Sequence, residues 1–156
     1  MILYFEDFYV GREFRSVQRR VEVQEILEFA HQYDPQSFHT GAEGHTPSIF
    51  DSIIASGWHT SAISMRLMAD SFILNSTCLG SPGIDYIRWP NPMRPGDKVA
   101  LVAKVTEARR SQSRPDRGIV KFEVKMRNQR KELLIETAPV VFFRCNPRRE
   151  DCRNPV

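Results

Sequence analysis

The sequence predicts an α+β domain in which an antiparallel β-sheet wraps a central buried α-helix. Three observations carry that expectation. The stretch from Gly57 to about Leu74 is helical in character, with apolar residues (Trp58, Ala62, Ile63, Met65, Leu67, Met68, Phe72, Ile73) spread nearly all round its circumference, as in a helix buried in a core. The second half switches to a period of two, in IDYIRW, KVALVAKV, IVKFEVKM and ELLIETAPVVFF. These runs are separated by the turn signals NPMRPGD, SRPDRG and NQRK, which suit neighbouring antiparallel strands.

Taken in chain order, residues 14–21 (FRSVQRRV) suggest a short extended strand. From Val23, the spacing of Ile26, Leu27, Ala30 and Tyr33 places an apolar stripe on one face of a short helix. Glu25 and Glu28 suit its first turns, and Asp34–Pro35 ends it, because proline pushes the residue before it out of the α region. Asp34 is thus expected at a helix end, with His39 in the loop that follows and runs on through TGAEGHTPS. Within the long helix, Arg66 and Asp70 have the four-residue spacing of a surface ion pair. In the strands, Val99, Leu101, Ala103 and Val105 share one face, as do Val120, Phe122, Val124 and Met126, so each strand has one side to bury.

The chain has 156 residues, 41% of them hydrophobic and 26% charged, which suits one domain with its own core. Residues 1–144 form that domain and residues 145–156 a polar, basic tail. No apolar run approaches the length that crosses a bilayer, and Glu6 and Asp7 interrupt the N-terminal stretch, so a cytoplasmic location with no membrane partner is expected. Cys78, Cys145 and Cys152 form no CxxC pair and are odd in number, against a disulfide framework or a zinc knuckle. No His, Cys or carboxylate set has metal-ligand spacing, and neither a metal nor another cofactor is expected. The net charge is +3, with arginines at Arg19–Arg20, from Arg109 to Arg117 and in the tail, yet no aromatics interleave them as on a nucleic-acid-binding face. Arg114 and Arg117 suit a solvated hairpin turn.

Hydration or dehydration beside an activated carbonyl needs a base toward water, a group that delivers a proton to carbon, and a donor for the developing enolate oxygen. Asp34 and His39, in FAHQYDPQSFHT, can supply the first two from neighbouring points of one cleft. Gly57 stands where the loop meets the long helix, and the unpaired amides of a helix N-terminus are donors for an oxyanion. His59, one turn into that helix, suits either an acyl pocket or, with better odds, a buried imidazole satisfied by a backbone carbonyl. His31 suits the surface of the first helix, and His45 the border of the entrance.

The same residues resemble a family. FAHQYDPQSFH is similar to the hydratase motif of MaoC-like dehydratases and (R)-specific enoyl-CoA hydratases, whose core reads Asp-x-Asn-Pro-x-His. IIASGWHTSAISMRLM resembles the start of that family's central helix, Ile-x-His-Gly-Met, and GIDYIRWPNPMRPGDKVALVAKV its next strand, Pro-(Val/Met)-x-x-Gly-Asp turn and following strand. The resemblance covers roughly residues 3–144 and implies a hotdog fold, usually a homodimer, that adds water reversibly to a trans-2-enoyl thioester to give a 3-hydroxyacyl thioester. It implies Asp34 and His39 as the catalytic pair and the Gly57 amide as the oxyanion donor. Ser56, where the family has histidine, and Trp58 are expected to contact substrate, an acyl-CoA or acyl-carrier-protein thioester. The chain departs from the motif at Tyr33, at Gln36–Ser37 and at Met65, where some members carry a serine. Two other functions suit the same fold: thioester hydrolysis, and a non-catalytic acyl-thioester-binding subunit.

Overall fold

A computed structural model describes residues 2–44 and 48–148 of the chain. His45, Cys152 and most of the basic tail lie outside them. The described elements are strands β1 (Glu13–Arg15) and β2 (Arg19–Arg20), helices α1 (Val23–Tyr33), α2 (Ser37–Thr40) and α3 (Gly57–Met68), and strands β3 (Cys78–Arg88), β4 (Lys98–Arg110), β5 (Arg117–Arg127) and β6 (Leu133–Arg144). All strand pairings are antiparallel, in the order β1-β4-β5-β6-β3 with β2 on β4. β4, β5 and β6 form the expected meander, and β3 crosses to the far edge beside β6. The sheet curls around α3, which is the hotdog arrangement.

Alternation explains which face is inside. The register sets Leu101 opposite Met126 and Met126 opposite Ile135, and likewise Ala103 opposite Val124 and Val124 opposite Thr137. All six are buried and form rows across the concave face. Onto these rows α3 lays Ile63, Leu67 and Met68, and the π-helical turn Ala69–Ile73 that continues it adds Phe72. Phe72 stacks on Phe14 of β1 with ring centroids 4.3 Å apart, and Phe8 stacks on Phe143 of β6 at 4.0 Å. Truncating a buried phenylalanine of this kind costs about 3–5 kcal/mol, so the aromatic cluster carries a large share of the fold's stability.

Four details depart from the sequence expectations. The first strand is two short pieces, β1 and β2, because the chain leaves the ladder after Ser16, whose amide still bonds the Leu101 carbonyl of β4. Tyr33 is exposed, since only Ile26 and Ala30 of the α1 stripe reach the core. His39 lies in the single turn of α2, not in a loop. Helix α3 is not buried all round, with Trp58 62% and Met65 49% exposed. The Arg66–Asp70 pair is present, 2.8 Å apart on the outer surface. Cys78 and Cys145 stand as thiols. Among the described residues no helix is long and apolar enough to cross a membrane.

The turn from Pro92 to Asp97 ties the layers together. The Asp97 carboxylate is almost fully buried and accepts the Arg94 amide at 2.9 Å and the Gln129 side-chain amide at 3.1 Å. Its backbone carbonyl accepts the Val21 amide, and the Gly96 amide donates back to Val21, with Gly96 in the left-handed region at φ 82°. Met93, buried in the same turn, accepts the Ala55 amide at 2.8 Å, which fixes the chain just before α3. The turn therefore sets where α3 begins.

Gly118 in β5 lies under Phe5, and an added Cβ would fall 2.0 Å from the phenyl ring. Phe5 is itself packed in the core, so the ring has little room to yield. Gly118→Ala is therefore expected to destabilise the fold by about 1–3 kcal/mol, read as a lower urea midpoint with an unchanged slope.

Candidate active site

Helix α1 ends where proline requires it: Asp34 leaves the helix at φ −151° while its amide still bonds the Ala30 carbonyl at 2.9 Å. The chain reverses at once, the Gln36 amide bonding the Asp34 carbonyl at 2.8 Å, and α2 begins. Gly41 closes α2 in the left-handed conformation at φ 74°. This tight path brings His39 back over Asp34, with His39 Nε2 3.3 Å from Asp34 Oδ2. The pair is neither fully wet nor fully dry, as the side chains are 6% and 19% exposed.

The tautomer of His39 follows from its other nitrogen. Nδ1 lies 2.8 Å from the Ile54 carbonyl oxygen, which can only accept, so Nδ1 carries the proton. Nε2 is therefore the ring nitrogen that gains or gives up a proton, and it faces the carboxylate.

Ser56 arrives from the far side, at the start of α3. Its hydroxyl donates to Asp34 Oδ2 at 2.6 Å and accepts the Trp58 amide at 3.2 Å, so it caps the helix and holds the carboxylate at once. The Gln36 side-chain amide donates to Oδ1 at 2.7 Å. Burial pushes the Asp34 carboxyl up, but the hydrogen bonds from Ser56 and Gln36 and the charge of His39 outweigh it, leaving the group below its ordinary value. Asp34 is thus held as an ionised carboxylate.

Gly57, the residue after Ser56, opens α3, so its amide is one of the first-turn donors that no helical carbonyl reaches. The absence of a side chain there has a specific reason: a Cβ would fall 2.8 Å from the Trp89 ring, which packs against this turn and donates its indole N–H to Ser61 at 3.2 Å. Trp58 projects outward and meets Trp89 edge to face, ring centroids 5.3 Å apart. A narrow, almost wholly apolar cavity of about 70 Å³ begins one turn further along α3, between Ser61, Met65 and Met68 on one side and Ile84, Ile135 and Thr137 on the other. A wider groove of about 610 Å³ runs beside Pro35, Gln36, Phe38 and Phe50 and reaches neither Asp34, His39 nor Gly57.

His59 departs from its expectation. It is 6% exposed, its Nδ1 has no hydrogen-bond partner, and its ring lies flat on Phe29 of α1 with centroids 4.8 Å apart. Instead of pairing with a carbonyl it serves as the stacking contact that seats α1 on α3. Burial depresses its basicity, partly opposed by the Glu25 carboxylate, so the ring is neutral in the fold. His31 is exposed, as expected.

The structure thus brings His39 and Ser56 each into contact with Asp34, with Gly57 the next residue along and Trp58 exposed beside it. Sequence reasoning missed Gln36, Trp89 and the Ile54 carbonyl. Gln36 was open to local reasoning, since it stands two residues past Asp34 in the same turn. Trp89 and Ile54 had no local signal, because their contacts form only when distant segments pack. Among the described residues no group of three or more His, Cys, Asp or Glu could hold a metal ion.

The hotdog layer thus holds a carboxylate and an imidazole 3.3 Å apart beside the start of its central helix. The chain belongs to the MaoC-like domain family, whose model matches residues 7–127. It is similar to the MaoC-like dehydratase of Rhodospirillum rubrum, with 41% identity, 92% of this chain and 99% of that chain covered, and a TM-score of 0.81. It is also similar to the uncharacterized protein YdeM of Bacillus subtilis (strain 168), 25% identical over 84% of this chain and 92% of that protein. The (R)-hydratase PhaJ1 of Pseudomonas aeruginosa shares the fold, with 16% identity, a TM-score of 0.71, and 92% and 86% of the two chains covered.

Two outcomes are expected. The folded state keeps His59 neutral, so near its ordinary value of 6.5 the unfolded chain binds the extra proton, and stability is lost as pH falls below that value. Urea unfolding at pH 7.5 and 5.5 should show this loss in the wild type and a smaller one in His59→Phe, which keeps the stack. Gly57→Ala should displace the Trp89 ring, seen as a changed tryptophan emission spectrum, while leaving the far-ultraviolet circular dichroism intact.

Proposed function

We propose that this protein adds water reversibly to the double bond of a trans-2-enoyl thioester, giving the 3-hydroxyacyl thioester. The observation that carries the reading is the 3.3 Å approach of Asp34 Oδ2 and His39 Nε2 beside the first turn of α3. A water that bridges the two atoms from the side, within hydrogen-bond reach of both, meets an ionised carboxylate and a ring nitrogen able to exchange a proton. With the thioester oxygen on the Gly57 amide, the β-carbon of the double bond is open to that water.

The proton balance is simple. Asp34 takes a proton from the water as its oxygen bonds the β-carbon, and negative charge moves to the thioester oxygen at Gly57. The proton passes to His39 Nε2 and from there to the α-carbon, so the enzyme ends as it began. Dehydration is the reverse. Because the two groups hold one water, their protons belong to the pair, and kinetics will report values for the pair.

The apolar cavity under α3 suits the acyl chain, and its volume of about 70 Å³ holds little more than two water-sized groups, at about 30 Å³ each. A short acyl chain on coenzyme A or a carrier protein fits this reading. A homodimer fits as well: β3 is an edge strand exposed along most of its length, and its Ile84 lies across the apolar cavity from the half-exposed Met65. A second copy covering this edge would bury these side chains. A cytoplasmic enzyme of acyl thioester metabolism is the setting these features favour.

Purified protein offered trans-2-enoyl-CoA of increasing chain length should hydrate the short members best, followed by the loss of enoyl absorbance. Asp34→Ala and His39→Ala should each lower kcat by about 10²- to 10⁴-fold with little change in folding. Full activity in Asp34→Ala, or no hydration at any chain length, would defeat the reading, and release of free thiol would replace it with hydrolysis.

A further inference from the structure

We infer that Ser56 is a positioning residue of this site, holding the Asp34 carboxylate ionised and aimed at His39 through a hydrogen bond that also caps helix α3. The inference rests on the hydratase reading for its catalytic meaning and on geometry alone for its physical content. Ser56 occupies the place where the resembled family motif carries histidine, so the arrangement belongs to this chain and not to the motif.

A serine hydroxyl has one hydrogen and two lone pairs. At Ser56 the oxygen accepts the Trp58 amide, which leaves the single hydrogen for Asp34 Oδ2, 2.6 Å away. The residue is only 1% exposed, so water does not compete for either bond. Oδ2 is the same oxygen that faces His39 Nε2, so Ser56 sets the angle at which proton exchange occurs. Gln36 holds the other oxygen from an exposed position, where solvent can replace it. Asp34 is thereby faced by His39 from α2, by Gln36 from its own turn and by Ser56 from α3, and His39 supplies the charge acting on its titration. A hydrogen bond to the ionised form favours that form, so the serine extends the pH range over which Asp34 is ready to accept a proton from water.

The decisive experiment combines a titration with kinetics on Ser56→Ala and Ser56→Thr. Carbon-13 NMR of the Asp34 carboxyl should show it titrating at higher pH in Ser56→Ala and returning to the wild-type position in Ser56→Thr, which keeps the hydroxyl and the cap. In enoyl-CoA hydration the acid limb of the kcat profile should move to higher pH in Ser56→Ala, with kcat down about tenfold to hundredfold and KM nearly unchanged. An Asp34 titration identical in the wild type and Ser56→Ala overturns the inference, whatever the activity. If the wild type hydrates no enoyl thioester, the proposed reaction falls, and the carboxyl titration still decides what Ser56 does.

Discussion

Everything in this molecule depends on the apolar stripe of α3 being buried against the concave face of the sheet. Ile63, Leu67, Met68 and Phe72 meet rows built from Leu101, Met126 and Ile135 and from Ala103, Val124 and Thr137. That contact removes apolar area from water, and it leaves the first turn of α3 next to Asp34. A helix packed this way along its length presents its N-terminal amides at one predictable point. The site is built around that point.

Three further contacts set the precision of the site. The Met93 carbonyl takes the Ala55 amide and places the start of α3 relative to the sheet, and the Phe29–His59 stack places α1 relative to α3. Ser56 and Asp34 then meet from opposite ends of these two placements. None of the three is strong by itself. Together they hold a carboxylate within hydrogen-bond reach of a hydroxyl 22 residues away along the chain. A site assembled from helix ends in this way is stiffer than one assembled from loops, and proton transfer over short distances requires that stiffness.

The electrostatics follow the same pattern. Asp34 is partly buried, which by itself would favour the neutral acid, yet it stays ionised because Ser56 and Gln36 each donate to one of its oxygens. His39 has its proton placed by the Ile54 carbonyl, so the nitrogen that faces Asp34 is the one able to exchange. The chain thus spends polar groups from three elements to define the proton inventory of two side chains. His59 shows the contrary case, a buried imidazole left without a partner and kept neutral by burial.

Much of this was legible in the residues. The period-two runs named the buried faces of β4 and β5 correctly, because alternation is a local geometric property of any extended chain. Pro35 named the end of α1, because the steric clash it imposes is with the residue directly before it. The sequence singled out Asp34 and His39, which the fold brings within 3.3 Å of each other, and Arg66–Asp70 found its partner one turn away. What the sequence left open was decided by contacts between distant segments: the edge position of β3, the outward face of α3 at Trp58 and Met65, the exposure of Tyr33, the Trp89 ring that requires Gly57, and the hydroxyl of Ser56 on Asp34. The division has one physical cause, that torsional and periodic constraints act over a few residues and are written in order along the chain, whereas the partner of a buried polar atom is chosen only when layers pack.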